Sequence, residues 1–233
     1  MIERKPLILN IETATNVCCV ALSRGEVVLN SLECKENNVH SKMLNVLIDK
    51  VFENTYYNIK ELDAVAVSKG PGSYTGLRIG VSSAKGIAYS LDKPLIGVDT
   101  LKILAAAARK KYPDCMYLSM IDARRTEVYS SLYDKDSNQI KEISADIVES
   151  DIYKDYKGEK IILIGDGAEK CKKYLTDNRY ILDKDIYLQA KDMTELAYIK
   201  YQKGEFENIA YFEPYYLKEF IAVKSKVKGL YDK

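Results

Sequence analysis

The sequence predicts an α/β protein in which one unit, a mixed sheet flanked by helices, is built twice. Three observations predict it. The chain opens with three short apolar runs rich in β-branched residues, at 7–13, 17–23 and 26–32. Helical and strand spacing then alternate as far as residue 110. From residue 116 the opening pattern returns, with a carboxylate where the first strand turns into the second: Glu12 in one half, Asp122 in the other.

The three opening runs, joined by a turn at Arg24 and Gly25, read as an antiparallel meander. Residues 40–53 take helical spacing, with Leu44, Leu47, Ile48 and Val51 on one stripe. Residues 62–67 form an apolar strand that runs into SKGPGSYTGLRIG, and a helix over 76–91 follows it. A short strand at 95–98 and an Ala-rich helix at 100–110 complete the order β-β-β-α-β-α-β-α. In the second half, MYLSMIDARRTEVYSSLYDKDSNQIKEI reads as an apolar strand ending at Asp122, a short turn and two further strands. IILIGDGAEK reads as strand, tight turn and helix, and 193–202 as a last helix before a Tyr-rich end. The expected division is 1–100 and 101–233, with the terminal segment returning to the first unit. This duplication is the architecture of the actin-like, ribonuclease H-like ATPases and sugar kinases, whose members hold ATP in the cleft between two such units; fold alone does not supply the function.

Composition narrows the classes. With 233 residues, 47% of them hydrophobic, the chain has enough apolar surface for a substantial core. Its 35 basic and 34 acidic residues nearly cancel, and only seven of the basic ones are arginines, so tight independent nucleic-acid binding is not expected. The apolar run before Glu12 is too short for a secretion signal, and no segment reaches the length of a membrane helix. A cytoplasmic location is expected, in keeping with five scattered cysteines read as reduced structural thiols.

The Gly-rich loop admits two readings. It lacks the Lys-Ser/Thr of a phosphate-binding P-loop and the spacing of a dinucleotide site. Gly70 and Gly72 flank Pro71 and permit positive φ on either side, and Ser73 or Thr75 is placed to cap the next helix. The loop is therefore a strand-to-helix joint or a phosphate cradle, the joint being favoured. Arg78, placed in the first turn, opposes the helix dipole and calls for a partner, expected to be a carboxylate. Beyond it, Gly76, Gly80, Ala84 and Ala88 recur every fourth residue, a register in which two backbones approach closely. The helix from His40 carries a second apolar row, Val39, Met43 and Val46, beside its main stripe. Such helices are either interior or shared with a partner.

KGPGSYTGLRIG, with NIETAT, HSKML, IDARRTEVY, IGDGA and PYYLK in order along nearly the whole chain, resembles the bacterial TsaB family. That resemblance implies the non-catalytic partner of a paralogue, TsaD, in placing threonylcarbamoyladenosine next to the anticodon of tRNA. It implies a heterodimer with TsaD, further assembly with the small ATPase TsaE, and tRNA contact only within the complex. It also turns Val39, His40, Met43, Val46, Gly76, Gly80, Ala84 and Ala88 into expected interface positions. Glu12, Gly70, Gly72, Thr75, Arg78 and Asp122 are the loop or cleft candidates, Glu12 and Asp122 standing where ATP-using relatives of this fold chelate magnesium across the cleft.

Catalytic equipment is sparse beside this. A single histidine, His40, rules out the paired histidines of the catalytic paralogue, and it reads as structural or interfacial. Thr13 and Ala123 stand where ATP-using relatives carry a glycine after the strand carboxylate, so a β-carbon crowds phosphate. No catalytic residue, metal or cofactor of its own is expected, and ATP or ADP would sit on partners or at the partner interface. Left to itself the chain is expected to form a homodimer. The tyrosine pairs at 56–57 and 215–216 are read as rim or core, and Lys224, Lys226 and Lys228 as a basic tail near tRNA. The alternatives are an ATP-dependent small-molecule phosphotransferase of the same fold, or a peptidase-like protein.

Overall fold

The computed structural model describes residues 4–36, 39–156 and 160–218. Two five-stranded mixed sheets carry the same strand order. In the first, β1 (Leu7–Glu12) is central, flanked by antiparallel β2 (Cys18–Arg24) and parallel β4 (Ala64–Gly70). β3 (Val27–Cys34) and β5 (Leu95–Asp99) close the order β3-β2-β1-β4-β5. The second sheet repeats it with β6 (Met116–Asp122) at the centre, β7 (Glu127–Tyr133) and β8 (Gln139–Ile147) on one side, and β9 (Ile161–Ile164) and β10 (Tyr180–Leu182) on the other.

Three hydrophobic layers follow from alternation along the strands. Leu7, Leu9 and Ile11 of β1 point to the outer face of the first sheet, which is covered by α1 (His40–Lys50) and α2 (Tyr74–Ser90). Ile8 points the other way, into a core shared with Tyr117, Ile121 and Ile164 of the second sheet. Between the sheets lie α3 (Thr100–Lys111) and α5 (Thr194–Lys203). The alanines of α3 let that helix fit where sheets face it on both sides: Ala105 and Ala108 are fully buried there. The third layer, over the outer face of the second sheet, holds Tyr153 and the short α4 (Ala168–Cys171).

The elements depart from the sequence reading at their ends. α1 stops at Lys50, short of residue 53, and α2 starts at Tyr74, two residues early, because Ser73 rather than Thr75 caps it by accepting the Gly76 N–H at 3.3 Å. Three-residue β10 was not foreseen, being too short to show alternation. After α5, residues 205–218 run without helix or strand back across the first sheet. Glu207 donates its N–H to Leu95 O at 2.9 Å at the open edge of β5, and Ile209 and Phe212 pack onto the outer core. The basic tail at Lys224, Lys226 and Lys228 lies outside the described residues.

Candidate functional site: a closed glycine loop and an open helix face

The glycines of the loop each admit another part of the same protein. Gly70 adopts φ of 112°, a conformation natural to glycine, and a β-carbon on it would lie 2.6 Å from Tyr215 O. Gly72 is there for a different reason than positive φ: its β-carbon would lie 2.5 Å from Ala14 O, while Ser73 N–H donates to that same oxygen at 2.7 Å. On α2, β-carbons at Gly76 and Gly80 would each lie 2.1 Å from Thr13, from its carbonyl and its hydroxyl oxygen respectively. The loop and the first turns of α2 are thus clamped onto the β1–β2 turn. Tyr215 N–H donates to Lys69 O at 2.6 Å and lays the returning segment across the loop.

This overturns the outward reading of the small-residue row. Gly76 and Gly80 are buried against Thr13, and Ala84 and Ala88 are 0% exposed in the core beneath α2. What Gly76 and Gly80 admit belongs to the same chain, the Thr13 carbonyl at one and its side chain at the other. Arg78 also differs from expectation. With the helix starting at Tyr74 it sits in the second turn, where it donates to Tyr74 Oη at 2.8 Å and lies over that ring, and among the described residues it makes no ion pair with a carboxylate. Tyr216 packs against the same ring at 4.9 Å, a contact the sequence does not signal because 142 positions separate the partners.

Glu12 and Asp122 occupy equivalent sheet positions but opposite environments. Glu12 is fully buried; its Oε1 accepts the Ala14 N–H at 2.6 Å and the Ser68 hydroxyl at 3.0 Å, and Oε2 has no hydrogen-bond partner among the described residues. Burial pushes its pKa up to about 7, against the pull of those donors. Asp122 is exposed, accepts the Arg124 N–H at 2.7 Å and pairs with Lys170. Among the described residues the two carboxylates share no hydrogen-bond or ion-pair partner. Among the described residues no group of three His, Cys, Asp or Glu side chains is placed to hold a metal. The second glycine turn is closed in the same way, a β-carbon on Gly165 falling 2.2 Å from Met120 O.

α1 leaves one face open. His40, Leu44, Leu47 and Ile48 are buried, whereas Val39 and Met43 are half-buried and Val46 is 40% exposed. His40 is therefore interior, with Nε2 lacking a hydrogen-bond partner among the described residues. Thr75 is exposed and makes no cap.

Residues 35–218 match the family model described as TsaD: tRNA N6-adenosine threonylcarbamoyltransferase. Over 224 residues the chain is 30% identical to the Escherichia coli K12 tRNA threonylcarbamoyladenosine biosynthesis protein TsaB, covering 93% of this chain and 96% of that protein. The chain belongs to the TsaB family. The TsaB of Buchnera aphidicola from Schizaphis graminum is 32% identical over 205 residues, 84% of this chain and 95% of its own. YeaZ from Pseudomonas aeruginosa superposes with a TM-score of 0.81 at 24% identity, covering 91% of this chain and all of that one, a match in fold.

For a TsaB-family chain the closed loop is informative. Its glycines fit Thr13, Ala14 and Tyr215 so closely that a β-carbon at Gly70, Gly72, Gly76 or Gly80 would collide with protein. Sequence reasoning singled out Thr13 for its β-carbon, whereas the structure sets its carbonyl and hydroxyl oxygens against Gly76 and Gly80; the contact of Gly70 with Tyr215 was not signalled.

Proposed function

We propose that this chain supports a TsaD-like catalytic paralogue in forming threonylcarbamoyladenosine on tRNA, and does not carry out the transfer itself. The observation that supports this reading is the closed glycine loop, packed against the chain's own backbone and Thr13, which we read as leaving a nucleotide phosphate no approach. The docking face is the row Val39, Met43 and Val46 on α1, the apolar surface that α1 leaves uncovered. Residues 1–100 form the unit that docks and 101–233 the second unit, the terminal segment bracing the first. In isolation the α1 face pairs with a second copy until the paralogue displaces it. A TsaE-like ATPase joins the assembled complex, tRNA is contacted only there, and the complex works in the cytoplasm. No helix among the described residues is long and apolar enough to cross a membrane, in keeping with that location.

Reconstitution tests the proposal. The purified chain is titrated into a purified TsaD-like protein, and threonylcarbamoyl transfer to tRNA is followed with each protein alone and with both. The expected result is a heterodimer and modification that depends on the paralogue. Modification by this chain alone, or no complex at tens of micromolar, overturns it.

A further inference from the structure

Cys18 and Cys34 are 16 positions apart in the sequence and directly opposite each other in the first sheet. The antiparallel register of β2 and β3 pairs them as Cα partners. Opposite residues of such a ladder project to the same face, with Cα atoms about 4.5 or 5.5 Å apart. A disulfide spans about 4.4–6.8 Å, so either spacing suits one. Both side chains lie in the layer beneath α1: Cys18 is fully buried there, and half-buried Cys34 packs against that core from the edge strand. The neighbouring thiol is excluded by the same pleat. Cys19 faces the opposite layer, where its sulfur accepts the Ala190 N–H at 3.2 Å.

We propose that Cys18 and Cys34 form a reversible cross-strand disulfide by exchange with a low-molecular-weight disulfide. The accessible partner reacts first. Cys34 as thiolate attacks one sulfur of the small disulfide, forms a mixed disulfide and releases one small thiol. The Cys18 thiol then gives up its proton and attacks the Cys34 sulfur, expelling the second small thiol, which takes up that proton. Two protein thiols are oxidised and one small disulfide is reduced to two thiols. Burial, followed by the neighbouring Cys34 and Glu12, pushes the Cys18 thiol up to about 12. Ring closure is therefore the slow step and quickens as pH rises. The closed bond pins the last residue of β3, just ahead of α1, to the interior of the sheet.

The test exposes the full chain to oxidised glutathione under native conditions and maps its disulfides by mass spectrometry. The expected product has lost two hydrogens, carries a Cys18–Cys34 crosslink, and returns to the free thiols with dithiothreitol. Cys18→Ala should stop one step earlier, with a single glutathione retained on Cys34, while Cys34→Ser should form no crosslink. Circular dichroism establishes that each variant is folded. A wild-type chain that keeps both thiols free, stays at the mixed disulfide, or crosslinks Cys34 to Cys19, Cys115 or Cys171 overturns the proposal.

Discussion

Glu12 places a carboxyl group in the interior, where no cation among the described residues pairs with it. In the folded protein its pKa stands near 7, against an ordinary value of 4.5, because desolvation outweighs the two donors on Oε1. Between those two values the native chain holds a proton that the unfolded chain has released. Stability from this group is therefore fully present below about pH 4.5, falls as pH rises towards 7, and is level above it. The loss is on the order of a few kcal/mol. Glu12→Gln should remove that slope: the melting temperature of wild type relative to the variant should decline from pH 5 to 7 and stay constant from 7 to 8. A gap independent of pH would show that Glu12 titrates normally. A strand-end acid is legible in the sequence, but its burial is not, since Ser68 comes from a strand 56 positions later.

The two outer helices separate packing from docking. Ala84 is 0% exposed over the first sheet, so Ala84→Leu overfills the core at a cost of typically 1–3 kcal/mol. The expected outcome is a lower melting temperature with the paralogue's affinity unchanged for the folded fraction; calorimetric titration beside a thermal melt checks both. Val46→Asp should do the reverse. It changes a 40% exposed side chain on α1, so the melting temperature should move little, while complex formation should weaken tenfold or more, about 1.4 kcal/mol. Equal affinity for Val46→Asp and wild type would remove α1 from the interface. Both helices were legible from their spacing, and so was the four-residue recurrence on α2. What spacing does not carry is the partner: Thr13, whose carbonyl and hydroxyl meet Gly76 and Gly80, lies more than sixty positions upstream.

At the scale of the molecule, the repeated strand order was readable because each half opens with its own apolar runs and a carboxylate at the same turn. The returning segment was much less readable: residues 205–218 have no periodicity and are held through their backbone carbonyls and amides, as where the Lys85 side chain donates from Nζ to Phe212 O at 2.9 Å. Those contacts bear on nucleotide binding. With Tyr215 across Gly70, magnesium and ATP should leave the melting temperature of the isolated chain unchanged, whereas a ligand bound only to the native state at 100 times its Kd would add about 2.7 kcal/mol. A magnesium-dependent rise of several degrees would reopen the phosphotransferase alternative. The returning segment also sets an order in time. A ribosome makes β5 long before it makes Glu207 and Phe212, so the sheet begun first waits for residues translated more than a hundred positions later, against the usual run of N-terminal units folding ahead of later ones. A premature stop codon near residue 205 would therefore harm the first sheet and spare the second.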